Sequence, residues 1–132
     1  MAKALTPFLM FEGAAEEAMN LYVGVFEGSL EQDIERYGAG EAGAEGSVKQ
    51  ASFSLAGQRF MCIDSPAKHD FDFTPSMSIF VDCDSEGELD TAFEQLSEDG
   101  SVLMPPGDYG FSAKFCWIND RFGVSWQLNL EG

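Results

Sequence analysis

Apolar positions recur along the chain in an order that is read twice. Phe8-Leu9-Met10-Phe11 is a short apolar run ending at Glu12-Gly13. In residues 14–26, Ala18, Leu21, Tyr22, Val25 and Phe26 recur at helical spacing, Glu16 and Glu17 stand where a helix N-terminus favours anions, and Gly28 can close the helix. Gly24 inside this pattern costs about 1 kcal/mol relative to Ala and weakens the last turn. Residues 30–37 form the next apolar-polar segment, and the Gly-, Ala- and Glu-rich residues 38–46 have the composition of an exposed loop. Residues 47–55 alternate, with Ala51, Phe53 and Leu55 on one face and Ser52 and Ser54 on the other. Ala56-Gly57 can make a tight turn into residues 58–64, which predicts a hairpin and completes the order β, α, β, β, β.

The second half follows the same plan. Residues 76–83 read as a strand, and Ser85-x-x-Glu88 is a capping box opening a helix with the stripe Leu89, Ala92, Phe93 and Leu96, closed by Gly100. Residues 101–104, 113–118 and 124–130 supply three strands. In the last of them Val124, Trp126, Leu128 and Leu130 alternate with Ser125, Gln127 and Asn129, the pattern of a sheet with one oily and one polar face. Placing Phe11 on Val81, Tyr22 on Phe93 and Gly28 on Gly100 gives an internal offset of 70 to 72 residues. The expectation is an α+β chain, a single domain over residues 1–132. Its two tandem βαβββ units, at about 3–64 and 76–130, form a curved mixed sheet with a helix on each convex side and a concave cavity between.

Composition narrows the partners. The 132 residues carry 23 Asp plus Glu against 7 Lys plus Arg, a formal charge of −16, while 45% hydrophobic content supplies enough apolar surface for a core. A phosphate backbone repels so acidic a surface, so neither nucleic acid nor an anionic membrane is an expected partner. Apolar runs of four to six residues fall far short of the ~20 that span a bilayer, and Met1-Ala2-Lys3 begins no signal peptide, which predicts a soluble, cytoplasmic protein. Cys62, Cys83 and Cys116 are odd in number, lack C-x-x-C spacing and sit in apolar stretches, as reduced core thiols do. With one His in the chain, a site built from two imidazoles of one subunit is excluded.

The order of elements, the stretch Pro7-Phe8-Leu9-Met10-Phe11-Glu12-Gly13-Ala14-Ala15-Glu16-Glu17-Ala18, Gly46-Ser47 before the third strand, and above all Trp117-Ile118-Asn119-Asp120-Arg121-Phe122-Gly123-Val124-Ser125-Trp126-Gln127-Leu128 carry a resemblance. Together they resemble the PhnB-like branch of the vicinal oxygen chelate superfamily, whose members often bear the name demethylubiquinone methyltransferase. The resemblance implies a glyoxalase and bleomycin-resistance type fold and a homodimer with cavities near the subunit interface. It also implies a divalent metal held by one side chain, typically His or Glu, from the first and last strands of each half. The internal repeat sets Thr6 and Ser76 at the first-strand positions and Met61 and Gln127 at the last-strand positions. Two hydroxyls, a thioether and a carboxamide supply no anion and no imidazole, so the metal site reads as vacated and no cofactor is expected; a bound divalent metal is the alternative. No glycine-rich turn follows a parallel strand, and Gly38-Ala39-Gly40 lies in a loop feeding a hairpin, so true methyl transfer is not expected.

Strand parity then sorts cavity from core. With Gln127 facing inward, so do Ser125 and Asn129, Arg59 and Met61, Ser76, Ser78 and Phe80, and Thr6, Phe8 and Met10. That lining suits a small, partly apolar organic ligand. Arg59 reads either as a bidentate partner for a carboxylate or phosphonate or as an edge residue paired with one of the many acids. His69, in loop 65–75 beside Asp70 and Asp72, is the candidate general base of an enzyme, or simply a loop residue in solvent. Tyr109, Phe111 and Ser112 follow Pro105-Pro106-Gly107 in a segment that either caps the cavity or packs as plain loop. Trp117 and Trp126 invite an aromatic-cage reading for a cationic ligand, but Trp126 shares its face with Leu128 and reads as core; Asn119 to Gly123 reads as turn chemistry. Two functions follow: a metal-free module binding a small organic ligand, which the vacated positions favour, or a small-metabolite enzyme of metal-dependent lyase, isomerase or dioxygenase type on the same scaffold.

Overall fold

Two strands in each half of the chain run parallel to one another although their neighbours are antiparallel, and this pairing organises the molecule. The computed structural model describes residues 1–132 and divides them into two units, Met1–Asp70 and Phe71–Gly132. The first contains β1 (Phe8–Phe11), α1 (Ala15–Val25), β2 (Leu30–Arg36), β3 (Val48–Leu55) and β4 (Gln58–Asp64). The second contains β5 (Ser78–Asp82), α2 (Glu86–Ser97), β6 (Ser101–Gly107), β7 (Lys114–Asn119) and β8 (Ser125–Leu130). Hydrogen bonding groups the strands as two mixed four-stranded sheets, β1-β4-β3-β2 and β5-β8-β7-β6, so each unit has the βαβββ order. No helix is long and apolar enough to cross a membrane.

In the first unit, β1 lies parallel to β4 with Phe8 opposite Met61 and Met10 opposite Ile63. Ala56 (φ 50°) and Gly57 (φ 91°) both take left-handed backbone, the geometry whose twist matches a two-residue hairpin joining β3 to β4. The core face presents Leu9, Phe11, Val48, Ala51, Phe53, Leu55, Phe60 and Cys62, with Phe53 and Phe60 stacked at 5.4 Å. Helix α1 covers it with Ala15, Ala18, Met19 and Tyr22. Leu21 and Val25, expected in this stripe, are only half-buried, because the residues that share one face at 3.6 per turn are 15, 18, 19, 22 and 26. Strand β2 is an edge carrying Glu31, Asp33 and Glu35, charges that discourage edge-to-edge pairing.

In the second unit, β5 is parallel to β8, with Ser78 opposite Ser125 and Phe80 opposite Gln127. Trp126, Leu128, Cys116 and Ile118 are buried with Leu89, Ala92 and Leu96 of α2, so Trp126 is core as its alternation implied. The N-cap forms as expected, with Ser85 Oγ accepting from Glu88 N at 3.1 Å, while Glu88 reaches one residue past the cap and accepts from Asp84 N at 3.0 Å. Several strand boundaries differ from expectation, three of them for visible reasons. β5 starts at Ser78, since residues 74–77 turn, with Met77 N bonded to Thr74 O. β6 continues through Pro105 and Pro106 to Gly107; as an edge strand it loses no outward ladder bond to prolines. β8 starts at Ser125 because Val124 still belongs to the turn from Asp120, where Gly123 (φ 93°) supplies a left-handed residue. Gly100 is required by contact: a Cβ there would meet the Asp120 carbonyl carbon at 2.9 Å. Glu16 and Glu88, in the first turns of α1 and α2, are half-buried, the first paired with Arg36 at 2.7 Å.

Candidate functional site

In each unit the helix covers one face of the sheet and leaves the other open, and the open faces hold nearly all the candidate residues. On the second sheet, strand pairing sets them out in rungs. One rung runs Phe80, Gln127, Trp117 and Met104; the next runs Ser78, Ser125, Asn119 and Ser101. An apolar rung carrying one carboxamide therefore adjoins a rung made only of hydroxyls and an amide.

These side chains are joined. Trp117 Nε1 donates to Ser125 Oγ at 2.8 Å, Ser125 and Ser78 share a hydrogen bond at 2.7 Å, and Gln127 Nε2 donates to Ser78 Oγ at 3.2 Å. Phe80 stands beside them with 53% of its surface exposed. Asn119 Oδ1 is buried without a hydrogen-bond partner. Farther along the face Asn129 Nδ2 donates to Asp82 Oδ1 at 3.0 Å, and Phe115 is packed against Tyr109 and Phe111. Tyr109 is tied to its own loop through its hydroxyl, which donates to Pro105 O. Ser78, Phe80, Ser125 and Gln127 thus share this face, and Trp117 and Asn119 join them from the neighbouring strand. Ser76 lies apart, in the turn before β5, with its hydroxyl on Thr74 Oγ1 at 2.6 Å.

On the first sheet the open face carries Phe8 and Met10 of β1, Arg59, Met61 and Ile63 of β4, Ser52 and Ser54 of β3, and Asp33 and Glu35 of β2. Thr6 precedes β1 and accepts from Arg59 Nη1 at 3.5 Å. Arg59 is exposed, and it borders a depression of about 300 Å³ with Asp33, Glu35, Gln50 and Ser52. Register also refines the repeat. Phe8 corresponds to Ser78 and Met10 to Phe80, so the residue matching Gln127 is Ile63, and Met61 matches Ser125. Ile63 therefore takes the place at which the sequence spacing set Met61, an alkyl group instead of a thioether. Hydroxyls, thioether, alkyl and carboxamide groups do not fit a transition metal, which takes carboxylate, imidazole or thiolate.

His69 lies off the open face, in the loop after β4. It is half-buried, its Nε2 is 2.8 Å from Ser65 Oγ, and its backbone N–H donates to Glu12 Oε2 at 3.4 Å, so it is held in place and is not a free side chain in solvent. Ser65 Oγ also accepts from Ala67 N at 3.2 Å. All three cysteines are buried. Burial pushes the Cys62 and Cys83 thiols up to about 12 and Cys116 to about 11, leaving them protonated at neutral pH.

Two buried carboxylates were not singled out from sequence as structural anchors. Asp64 Oδ1 accepts from Gly13 N (2.8 Å) and Ala15 N (2.9 Å), and its Oδ2 accepts from Val48 N (3.0 Å). It thereby occupies the N–H groups of the β1-to-α1 turn. Asp120 does similar work in the second unit, accepting from Phe122 N, Val124 N and Trp126 Nε1. The signal for Asp64 was the alternation Phe60, Cys62, Asp64, which sets a carboxylate on the core face.

The family described as 3-demethylubiquinone-9 3-methyltransferase matches residues 3–129. A Bacillus cereus PhnB protein whose description carries the same methyltransferase name is 55% identical, with 97% of this chain and 99% of that chain covered and a TM-score of 0.95. Protein PA1353 from Pseudomonas aeruginosa is 29% identical over 98% of each chain, with a TM-score of 0.86. The fosfomycin resistance protein FosX from Listeria monocytogenes, 13% identical over 100% of this chain and 95% of its own, shares the fold with a TM-score of 0.65. No curated protein matches the chain.

Proposed function

We propose, on the premise that the chain belongs to the family described as 3-demethylubiquinone-9 3-methyltransferase, that it is a small-molecule-binding protein that holds its ligand without a metal ion. One observation carries the reading. Gln127, where this fold's metal enzymes have a carboxylate, offers a neutral carboxamide already hydrogen-bonded to the Ser78 hydroxyl. Around it stand aromatic and hydroxyl side chains, a lining suited to a partly apolar organic molecule fixed by a few polar contacts. Methyl transfer is disfavoured: the turn between β1 and α1, where a nucleotide-like cofactor meets backbone N–H groups in many folds, has those of Gly13 and Ala15 taken by Asp64. In this reading the protein is a cytoplasmic homodimer.

The test is elemental analysis of protein purified without chelators, with a thermal-shift screen of organic compounds in the presence and absence of divalent ions. Stabilisation by organic compounds alone is expected. A stoichiometric transition metal, with stabilisation by metal alone, overturns the reading. Sedimentation equilibrium checks the dimer.

A second reading, an enzyme acting on a small metabolite, is favoured by one contact, the 2.8 Å approach of His69 Nε2 to Ser65 Oγ, which pairs a base with a hydroxyl. It requires His69→Ala to abolish turnover while leaving ligand binding on the open faces intact.

A further inference from the structure

The hydrogen-bond chain on the open face of the second sheet can be counted proton by proton. Each serine hydroxyl has one hydrogen to donate and two lone pairs with which to accept. Ser125 Oγ accepts from Trp117 Nε1, Ser78 Oγ accepts from Gln127 Nε2, and the two hydroxyls are 2.7 Å apart, so only one of their two hydrogens is used between them. If Ser78 donates, the surplus hydrogen falls on Ser125, which is 1% exposed and has no further partner, and a buried hydroxyl then goes unsatisfied. If Ser125 donates, Ser125 is satisfied and the surplus hydrogen falls on Ser78, which is half-exposed. The second arrangement is the stable one.

The chain therefore ends in an outward Ser78 O–H donor. Beside it is Gln127 Oε1, an acceptor without a protein partner on the carboxamide whose Nε2 is 3.2 Å from the same hydroxyl. Donor and acceptor thus stand side by side, flanked on one neighbouring strand by exposed Phe80 and on the other by Trp117.

We propose that this face selects a neutral aromatic ligand bearing a carboxamide or lactam group, whose carbonyl accepts from Ser78 Oγ–H and whose N–H donates to Gln127 Oε1. The proposal rests on the binding reading above and names the ligand class for the same surface. A carboxylate fails the match: it turns an acceptor towards Gln127 Oε1, and Asp82, four residues along β5 on the same face, adds like charge. An ammonium group satisfies Gln127 Oε1 but gives the Ser78 hydrogen nothing to bond. The flanking rings take the ligand's aromatic plane.

The test uses three probes of one shape, benzamide, benzoate and benzylamine, titrated into ¹⁵N-labelled full-length protein. The chain has two tryptophans, so the indole spectrum contains two signals: Trp117, whose Nε1 is in the network, and Trp126, buried against α2 as an internal control. Probes of this size bind at roughly millimolar concentration. Benzamide is expected to shift the Trp117 signal and leave that of Trp126 in place, binding at least about tenfold more tightly than the other two. Ser78→Ala and, independently, Gln127→Met each weaken benzamide about tenfold, with the Trp126 signal reporting that the fold is kept. If benzoate or benzylamine matches benzamide at Trp117, the assignment of ligand class fails while the binding reading stands. If none of the probes shifts Trp117, the face is not a ligand surface and both fail.

Discussion

Trp126 Nε1 donates to Oδ2 of Asp120 at 2.9 Å, and the two residues are 0% and 3% exposed. The bond ties the start of β8 to the turn that feeds it. That turn is itself held by Asp120 Oδ1, which accepts from Phe122 N and Val124 N. One carboxylate thus fixes both the entry of the strand and the side chain that anchors it in the core.

Asp120→Ala leaves three N–H groups without their acceptor and is expected to cost about 3 kcal/mol, since hydrogen bonds to a charged group are strong and removing one partner strands the others. Asp120→Asn keeps the shape and loses the charge, and should cost less. Trp126→Phe removes one donor together with part of a buried ring. Urea unfolding measures all three, and the Asp120→Ala, Trp126→Phe double mutant should destabilise by less than the sum of its parts.

Asp64 makes the equivalent test in the first unit. Its Oδ1 accepts from Ala15 N at the start of α1, where a negative charge also meets the helix dipole. Asp64→Ala is expected to cost about 3 kcal/mol and to raise amide exchange of the first turn of α1, read by hydrogen-exchange mass spectrometry.

The three thiols make stability depend on alkaline pH. Their folded values lie above the ordinary 9.0, at about 12 for Cys62 and Cys83 and about 11 for Cys116, because burial disfavours the thiolate. Below pH 9 both folded and unfolded thiols are protonated and the full stability is present. Between 9 and about 11 to 12 the unfolded chain loses its protons first, so stability falls as pH rises. The melting temperature is expected to be level from pH 7 to 9 and to drop above it. Iodoacetamide should leave the native thiols unmodified at pH 8 and label all three in urea.

Charge sets a fourth expectation. With 23 acidic groups against 7 basic ones, most of the acids face water without a counter-charge, and exposed pairs such as Lys49 with Glu41 contribute little. Screening should then stabilise the fold. The melting temperature is expected to rise between about 0.01 M and 0.5 M sodium chloride, the opposite of what loss of surface ion pairs alone predicts.

Much of this was legible in the chain itself, because periodicity reports burial. The alternation of Val124 to Leu130 separates buried Trp126 from Gln127, and Ser85-x-x-Glu88 marks the start of α2 by the chemistry of its cap. The edges of strands were less legible. Pro105 and Pro106 would end a central strand, and only the position of β6 at the border of its sheet lets it continue through them.

The sequence by itself determined the elements and the faces they bury, since these depend on residue type and local spacing. Only the tertiary structure decided which polar groups meet. Ser78 and Ser125 are 47 positions apart, and nothing local says that they share a hydrogen bond or that Trp117 and Gln127 complete the chain. Register between distant strands fixes that. A slip of one residue would turn every one of these side chains to the other face, which is why the donor and acceptor pattern could be counted only once the strands were paired.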